Sequence, residues 1–112
     1  MNEKPNILLI NCDDMGYGDL GCYGSQLNRS PHVDALAKGG ILFTDFYAPS
    51  PVCSPSRGAL MTGCYPNRIG FSSFEGKAAL MPGHGIGINH EEFTLPQALK
   101  QAGYRTMLVG KW

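Results

Sequence analysis

The sequence predicts an α/β fold with a mainly parallel sheet, because apolar segments typical of strands alternate with amphipathic segments typical of helices. Residues 6–11 form a short continuous apolar run that ends in polar residues, the pattern of a strand buried on both faces. Residues 94–103 carry a helical pattern and are followed at once by a strand pattern over residues 104–109. A strand, a helix and a second strand in this order favour a sheet with helices on its faces.

The middle of the chain adds two helices and one strand to this prediction. Ser30-Pro31 is typical of a helix start, and an apolar stripe follows before Gly39-Gly40 ends the helix. Residues 41–47 are rich in β-forming residues and are predicted to form another strand. A further helix is predicted from Cys53 to Gly63, with Leu60 and Met61 in the core.

The last helix is predicted to begin at Thr94, because Thr94 and Gln97 have the spacing of a capping box, and to end at Gly103. Between these helices, residues 70–92 are rich in glycine and show no sustained period. Long loops of this kind are commonly functional, so His84 and His90 are candidate substrate contacts, with ordinary loop histidines as the alternative.

Composition excludes several classes of partner. The chain of 112 residues has a formal net charge of zero, which gives no electrostatic basis for binding nucleic acid or an anionic membrane surface. Its longest apolar runs are too short to span a bilayer. The four cysteines show neither a C-x-x-C pair nor zinc-finger spacing. No signal peptide is visible, so the compartment stays open.

Two adjacent carboxylates follow the first predicted strand. Asp13 and Asp14 lie at its carboxyl end, where open α/β sheets place their ligands, and Asn11 adds a third oxygen nearby. Neighbouring carboxylates repel each other unless a cation or hydrogen bonds offset the charge. The pair is therefore a candidate site for a hard metal ion, and a solvated loop is the alternative.

A thiol and a guanidinium mark a second candidate site. Cys53 is placed at a helix start and Arg57 one turn later, so both should face the same space. Backbone N–H groups at a helix start and the planar guanidinium suit a tetrahedral oxyanion. A cysteine-phosphatase loop needs a longer spacing than the three residues found here. The alternative is a buried structural cysteine and a solvated arginine.

Residues 53–63 resemble the signature of the type I sulfatases: Cys-x-Pro-Ser-Arg, three variable residues, Leu or Met, Thr and Gly. Residues 6–24 resemble the opening of the same family, and residues 103–112 resemble its second signature. The chain is thus identified as the N-terminal part, residues 1–112, of an arylsulfatase-like catalytic domain. We expect that domain to continue beyond Trp112.

The resemblance implies an alkaline-phosphatase-like fold, with a mixed or parallel sheet flanked by helices, and sulfuric ester hydrolysis. In that family a formylglycine-generating enzyme oxidises the signature cysteine, here Cys53, to Cα-formylglycine, whose hydrate attacks sulfur. The resemblance assigns Asp13, Asp14 and the modified Cys53 to one divalent metal, usually calcium. It assigns Arg57 and Lys111 to the sulfate oxygens.

The implied substrate is a small sulfate ester or a sulfated glycan, and the resemblance does not choose between them. The family is often lysosomal, secreted or periplasmic. Further metal ligands and the catalytic histidines are expected downstream of Trp112, so we expect residues 1–112 alone to be inactive. Two alternatives stay open: a phosphatase or phosphonate hydrolase of the same superfamily, and a truncated product without catalysis.

Overall fold

The structure, a computed structural model, describes residues 4–72, 79–80, 83 and 85–112. Its described part contains three α-helices: α1 at Pro31–Gly39, α2 at Cys53–Thr62 and α3 at Leu95–Gln101. Short 3-10 turns occur at Tyr17–Asp19, Gly21–Tyr23 and Pro66–Ile69. By its internal contacts the chain divides into two compact units, Met1–Phe46 and Tyr47–Trp112.

Helix α1 has the predicted bounds. Ser30 is its N-cap residue and Pro31 its first helical residue, and the Asp34 N–H donates to the Ser30 carbonyl at 2.8 Å to close the first turn. Asp34 in the first turn and Lys38 in the last turn both favour the helix dipole. Within its unit, α1 packs against the Gly21–Tyr23 turn.

Helix α2 also begins and ends where the signature predicts. Pro55 lies in its first turn, where a missing N–H breaks no intrahelical bond. Gly63 ends the helix with φ at +69°, a left-handed conformation that glycine adopts without steric cost. The Gly63 N–H donates to the Ala59 carbonyl at 2.8 Å, which satisfies one of the last carbonyls of the helix.

The small core of the molecule lies along α2. Among the described residues, all that are buried fall between Ser54 and Phe71, and the Phe71 side chain is 1% exposed. The buried face of α2 consists of Ser54, Pro55, Gly58 and Ala59. The prediction that Leu60 enters the core is therefore wrong: Leu60 lies on another face and is 37% exposed. Met61 is half-buried.

Helix α3 begins at the predicted capping box. The Gln97 Oε1 accepts hydrogen bonds from the Thr94 N–H at 2.7 Å and from the Thr94 hydroxyl at 2.8 Å. The helix ends at Gln101, two residues before the predicted terminator Gly103, which has φ at +84°. Helix α3 packs against α2 within the Tyr47–Trp112 unit.

The predicted strands over residues 6–11, 41–47 and 104–109 are not confirmed, because the described residues contain no β-strand. The prediction that residues 6–11 form a strand buried on both faces is also wrong for this structure, because Leu8 is 85% exposed. Val109, in the last predicted strand, is 81% exposed. A strand exists only where a neighbour completes its ladder of hydrogen bonds, and no described segment supplies one here.

In the part of the chain that the structure describes, no helix combines the length and the apolar character that crossing a bilayer requires.

Candidate active site

The first residue of α2 is Cys53, whose thiol is free and half-buried. Val52 precedes it in an extended conformation, and the Ser56 N–H donates to the Val52 carbonyl at 3.1 Å to close the first turn. The N–H groups before Ser56 have no carbonyl partner within the helix, and the positive end of the helix dipole lies there. The structure thus places the predicted cysteine where negative charge is favoured.

Arg57 and Lys111 meet in the structure. The Arg57 Nη1 donates a hydrogen bond to the Lys111 carbonyl oxygen at 2.9 Å, although the two residues are 54 positions apart. Arg57 follows Cys53 by one helical turn and so lies on the same face of α2. The two predicted anion-binding residues are therefore neighbours through the Lys111 backbone, and Arg57 shares a helix face with Cys53.

Two small residues fix the position of α2. A Cβ atom at Gly58 would lie 2.6 Å from the Phe71 Cδ2 and 3.0 Å from the Ile69 Cδ1, so only glycine allows this close approach. On the same face, the Ser54 Oγ accepts a hydrogen bond from the Leu80 N–H at 3.0 Å, and Ser54 is 5% exposed. Helix α2 is held by packing at one position and tied to the following loop at another.

Sequence reasoning missed both residues because they occupy variable positions of the signature. A signal was present all the same: Ser54 and Gly58 are small residues one helical turn apart, a spacing that lets a helix approach its neighbour closely.

Two fixed residues of the signature act on the helix end. The Thr62 Oγ1 donates to the Gly58 carbonyl at 2.8 Å and accepts from the Cys64 N–H at 3.3 Å. Gly63 supplies the left-handed turn described above. These residues stop α2 and direct the chain away from it, so in this structure their role is structural.

Asp13 and Asp14 lie together in an exposed turn after the first apolar segment. Asp14 has φ at +54°, and it is the one residue other than glycine with a positive φ in the described part of the chain. Aspartate tolerates this left-handed conformation better than most residues do. The turn continues through Gly16, whose N–H donates to the Asp19 Oδ2 at 2.7 Å. Asp19 is therefore part of the loop structure.

The carboxylates of this pair suit a divalent cation in kind but not in number. Calcium takes about six to eight oxygen ligands. Within the described ranges, no group of three or more His, Cys, Asp or Glu side chains could hold a metal ion. Asp13 and Asp14 thus fit one part of a coordination shell, whose remaining oxygens must come from other residues or from solvent. They belong to the Met1–Phe46 unit, and Cys53 belongs to the Tyr47–Trp112 unit.

Two tyrosines attach the loop after Asp14 to the segment that ends this unit. The Tyr17 hydroxyl donates to the Phe46 carbonyl and accepts from the Phe46 N–H, both at 2.7 Å. The Tyr23 hydroxyl donates to the Phe43 carbonyl at 2.7 Å. The two tyrosine rings meet edge to face, with centroids 4.6 Å apart.

Burial raises the pKa of the Tyr23 phenol above its ordinary value, and the neighbouring Tyr17 and Cys22 add to the rise. The phenol therefore stays protonated as a hydrogen-bond donor.

The other side of the loop is attached to α1. The Asp34 Oδ1 accepts hydrogen bonds from the Cys22 N–H at 2.8 Å and from the Ser30 hydroxyl at 2.9 Å. The Ser30 Oγ in turn accepts from the Gly21 N–H at 2.8 Å. Ser30 was predicted as a helix cap, and its hydroxyl serves instead to join α1 to the preceding turn.

The two candidate histidines remain predictions. His84 lies outside the described residues. His90 is exposed in a turn.

Comparison of the sequence with known proteins identifies the family of the chain. The model of the family described as Sulfatase matches residues 5–112. The chain is 50% identical to N-acetylgalactosamine-6-sulfatase of Sus scrofa, over 98% of this chain and 22% of that protein. It is 49% identical to arylsulfatase A and 46% identical to steryl-sulfatase of Homo sapiens, again over 98% of this chain, and over 21% and 19% of those proteins.

The chain spans about a fifth of the length of these relatives, and the similarity runs from one end of it to the other. Both signature segments and the Asp13-Asp14 pair fall within the matched residues. On this match the chain belongs to the sulfatase family.

Proposed function

We propose that these 112 residues are the N-terminal part of a sulfatase catalytic domain that hydrolyses a sulfate ester. The observation that carries the proposal is the 2.9 Å hydrogen bond between the Arg57 Nη1 and the Lys111 carbonyl. It joins the two signature segments in space beside the helix start that bears Cys53. Arg57 lies one helical turn from Cys53 and is tied to the Lys111 backbone, which supports an attack on a sulfate ester, because that reaction needs positive charge near the nucleophile.

In this proposal Cys53 is the residue that maturation converts to Cα-formylglycine, and the aldehyde hydrate supplies the attacking hydroxyl. The position suits that role because it lies at the positive end of α2. Arg57 binds the sulfate oxygens with its planar fork of donors, and Lys111 adds a second positive charge. Both cations offset the negative charge that builds up on the sulfate as the ester bond breaks.

Asp13 and Asp14 would hold the divalent cation, with calcium as the ion that oxygen ligands favour. A bound cation of this kind lowers the pKa of a coordinated hydroxyl and so makes it a better nucleophile. The exposed carboxylates and the left-handed Asp14 backbone support the assignment, because they place two carboxylates at one turn. The modified Cys53 would be a further ligand.

The substrate class is proposed from the relatives. Their names are those of an N-acetylgalactosamine-6-sulfatase, an arylsulfatase and a steryl-sulfatase, and what these names share is a sulfate ester. We therefore propose a small sulfate ester or a sulfated glycan as substrate, and no nucleic acid partner. Because these residues supply only part of a metal shell, we expect them to be inactive without the rest of the domain.

The maturation of Cys53 is the first test. The full-length protein is made together with a formylglycine-generating enzyme, and the peptide that contains residues 53–57 is examined by mass spectrometry. We expect the aldehyde at position 53 and none in a Cys53→Ala variant. An unmodified thiol, under conditions that convert a control sulfatase, would contradict the proposal.

The reaction is tested with a matched pair of aryl esters, one sulfate and one phosphate. We expect the matured protein to turn over the sulfate ester at the higher kcat/KM, and the Cys53→Ala variant to turn over neither. A preference for the phosphate ester would favour the phosphatase alternative. If the protein carries the aldehyde but hydrolyses neither aryl ester and no sulfated glycan, the result would favour a product without catalysis.

A further inference from the structure

Tyr17 makes an unusual contact for an exposed side chain. Its hydroxyl bonds both the N–H and the carbonyl of Phe46, each at 2.7 Å. A hydroxyl can donate one hydrogen bond and accept others through its lone pairs. The Tyr17 hydroxyl therefore pairs with both backbone groups of Phe46, as a residue of a neighbouring strand would. The contact joins positions that are 29 residues apart.

The contact lies close along the chain to the proposed metal ligands. Only Met15 and Gly16 separate Tyr17 from Asp14. The Gly16 N–H is fixed by the Asp19 carboxylate at 2.7 Å, and Asp14 itself is held in the left-handed conformation. Because this linking segment is short and constrained, a shift of Tyr17 should also shift the Asp14 carboxylate.

We propose that Tyr17 is a positioning residue for calcium binding, and that its two hydrogen bonds to Phe46 hold the Asp13-Asp14 turn in the conformation that presents both carboxylates. The inference rests on the proposed metal role of that pair. Tyr17 does not touch the ion and acts only through the turn. Such outer contacts orient ligands that would otherwise sample several directions.

A positioning role predicts that losing the Tyr17 hydroxyl lowers the calcium affinity but not the stability of the calcium-free protein. Phe46 is 67% exposed, so water can replace the hydroxyl at its N–H and carbonyl when the tyrosine oxygen is removed. Removing that oxygen should cost the folded protein little. Calcium binding must then order the turn, and the conformational entropy lost in that step lowers the calcium affinity.

Tyr17→Phe in the full-length protein tests this inference, with calcium alone as the probe. We expect the calcium dissociation constant from titration calorimetry to rise about 10-fold, the lower end for outer contacts of a metal site. The melting temperature of the calcium-free protein should stay unchanged. Tyr65→Phe is the matched control, because Tyr65 is exposed and its hydroxyl has no recorded hydrogen bond among the described residues. It should leave the dissociation constant unchanged.

A double-mutant cycle checks that Tyr17 acts through Asp14. Asp14→Asn removes the charge and keeps a residue that tolerates the left-handed backbone. In that background Tyr17→Phe should weaken calcium binding by much less than 10-fold, because interacting residues are not additive.

An unchanged dissociation constant for Tyr17→Phe, or the same factor in both backgrounds, would overturn the inference. A lower melting temperature without calcium would do so as well, since it would indicate a purely structural role. If the unaltered protein binds no calcium, the proposed metal role itself fails, and the inference fails with it.

Discussion

The interactions that stabilise the Met1–Phe46 unit differ in kind from those that stabilise the Tyr47–Trp112 unit. All buried residues of the described chain lie in the Tyr47–Trp112 unit, where Phe71 and Ile69 pack against α2. The described part of the Met1–Phe46 unit has no buried residue. It is stabilised instead by hydrogen bonds between side chains and backbone: the Tyr17 and Tyr23 hydroxyls donate to carbonyls, and Ser30 and Asp34 accept from N–H groups.

The difference bears on the candidate site residues of each unit. Those on α2, Cys53 and Arg57, rest on close packing, which tolerates little change in volume. The turn of Asp13 and Asp14 rests on hydrogen bonds of exposed groups, which water can replace, so losing one changes the free energy of unfolding little and mainly loosens the turn. The residues on α2 should therefore respond to changes in side-chain size, and the Asp13-Asp14 turn to changes in individual polar atoms.

The largest effect is expected from Phe71→Ala. Among the described residues Phe71 is the most deeply buried large side chain, and its loss should lower the free energy of unfolding by about 3–5 kcal/mol. Urea unfolding of the full-length protein measures the change. Phe93→Ala is the matched control in the same unit, because Phe93 is more than half exposed and should cost far less. Equal losses for the two variants would show that packing around α2 does not dominate this unit.

A smaller loss is expected from Gly58→Ala. The added methyl group would overlap the Phe71 ring, and overpacking of this kind costs about 1–3 kcal/mol. The displaced helix should also move Arg57 away from Lys111 and lower kcat/KM for the sulfate ester. Gly87→Ala serves as the control, since a Cβ there meets nothing within 4 Å. A Gly58→Ala protein as stable and active as the control would contradict close packing at this position.

The helices could be predicted from the sequence because their signals are local. Ser30-Pro31 begins α1, Thr94 and Gln97 form the capping box of α3, and the turn at Gly63 ends α2, all within one or two turns of the residues they affect. The strand segments carry no such local signal. Their structure depends on hydrogen bonds to a distant neighbour, so an apolar run such as residues 6–11 predicts only that a partner is needed.

The site divides in the same way. Cys53 and Arg57 could be placed on one helix face from their spacing alone. The contact between Arg57 and the Lys111 backbone joins residues 54 positions apart, and no periodicity in the sequence encodes it. The same holds for Tyr17. In the sequence it is a polar residue of a glycine-rich loop, and only the structure shows its contact with the Phe46 backbone.

The Met1–Phe46 unit offers a test of its polar attachments at Gly21. A Cβ there would lie 2.5 Å from the Asp34 Oδ2, and the Asp34 carboxylate cannot move without losing its bonds to Cys22 and Ser30. Gly21→Ala should therefore destabilise the protein, and much less so once Asp34→Ala has removed the carboxylate. We expect a coupling free energy of about 1 kcal/mol from the two single variants and the double variant in urea. Strict additivity would mean that the carboxylate does not confine Gly21.

The smallest effect expected is a gain in stability, at the end of α1. Gly39 is the last residue of that helix, its φ is not in the left-handed region, and a Cβ there meets nothing within 4 Å. Gly39→Ala should raise the free energy of unfolding by about 0.4–1 kcal/mol, because alanine restricts the unfolded chain without straining the helix. Gly63 at the end of α2 is the matched opposite: its φ is +69°, so Gly63→Ala should cost about 1–2 kcal/mol. Thermal unfolding of the two full-length variants gives both signs in one experiment, and a loss of stability for Gly39→Ala would show that the end of α1 is more confined than its open surroundings indicate.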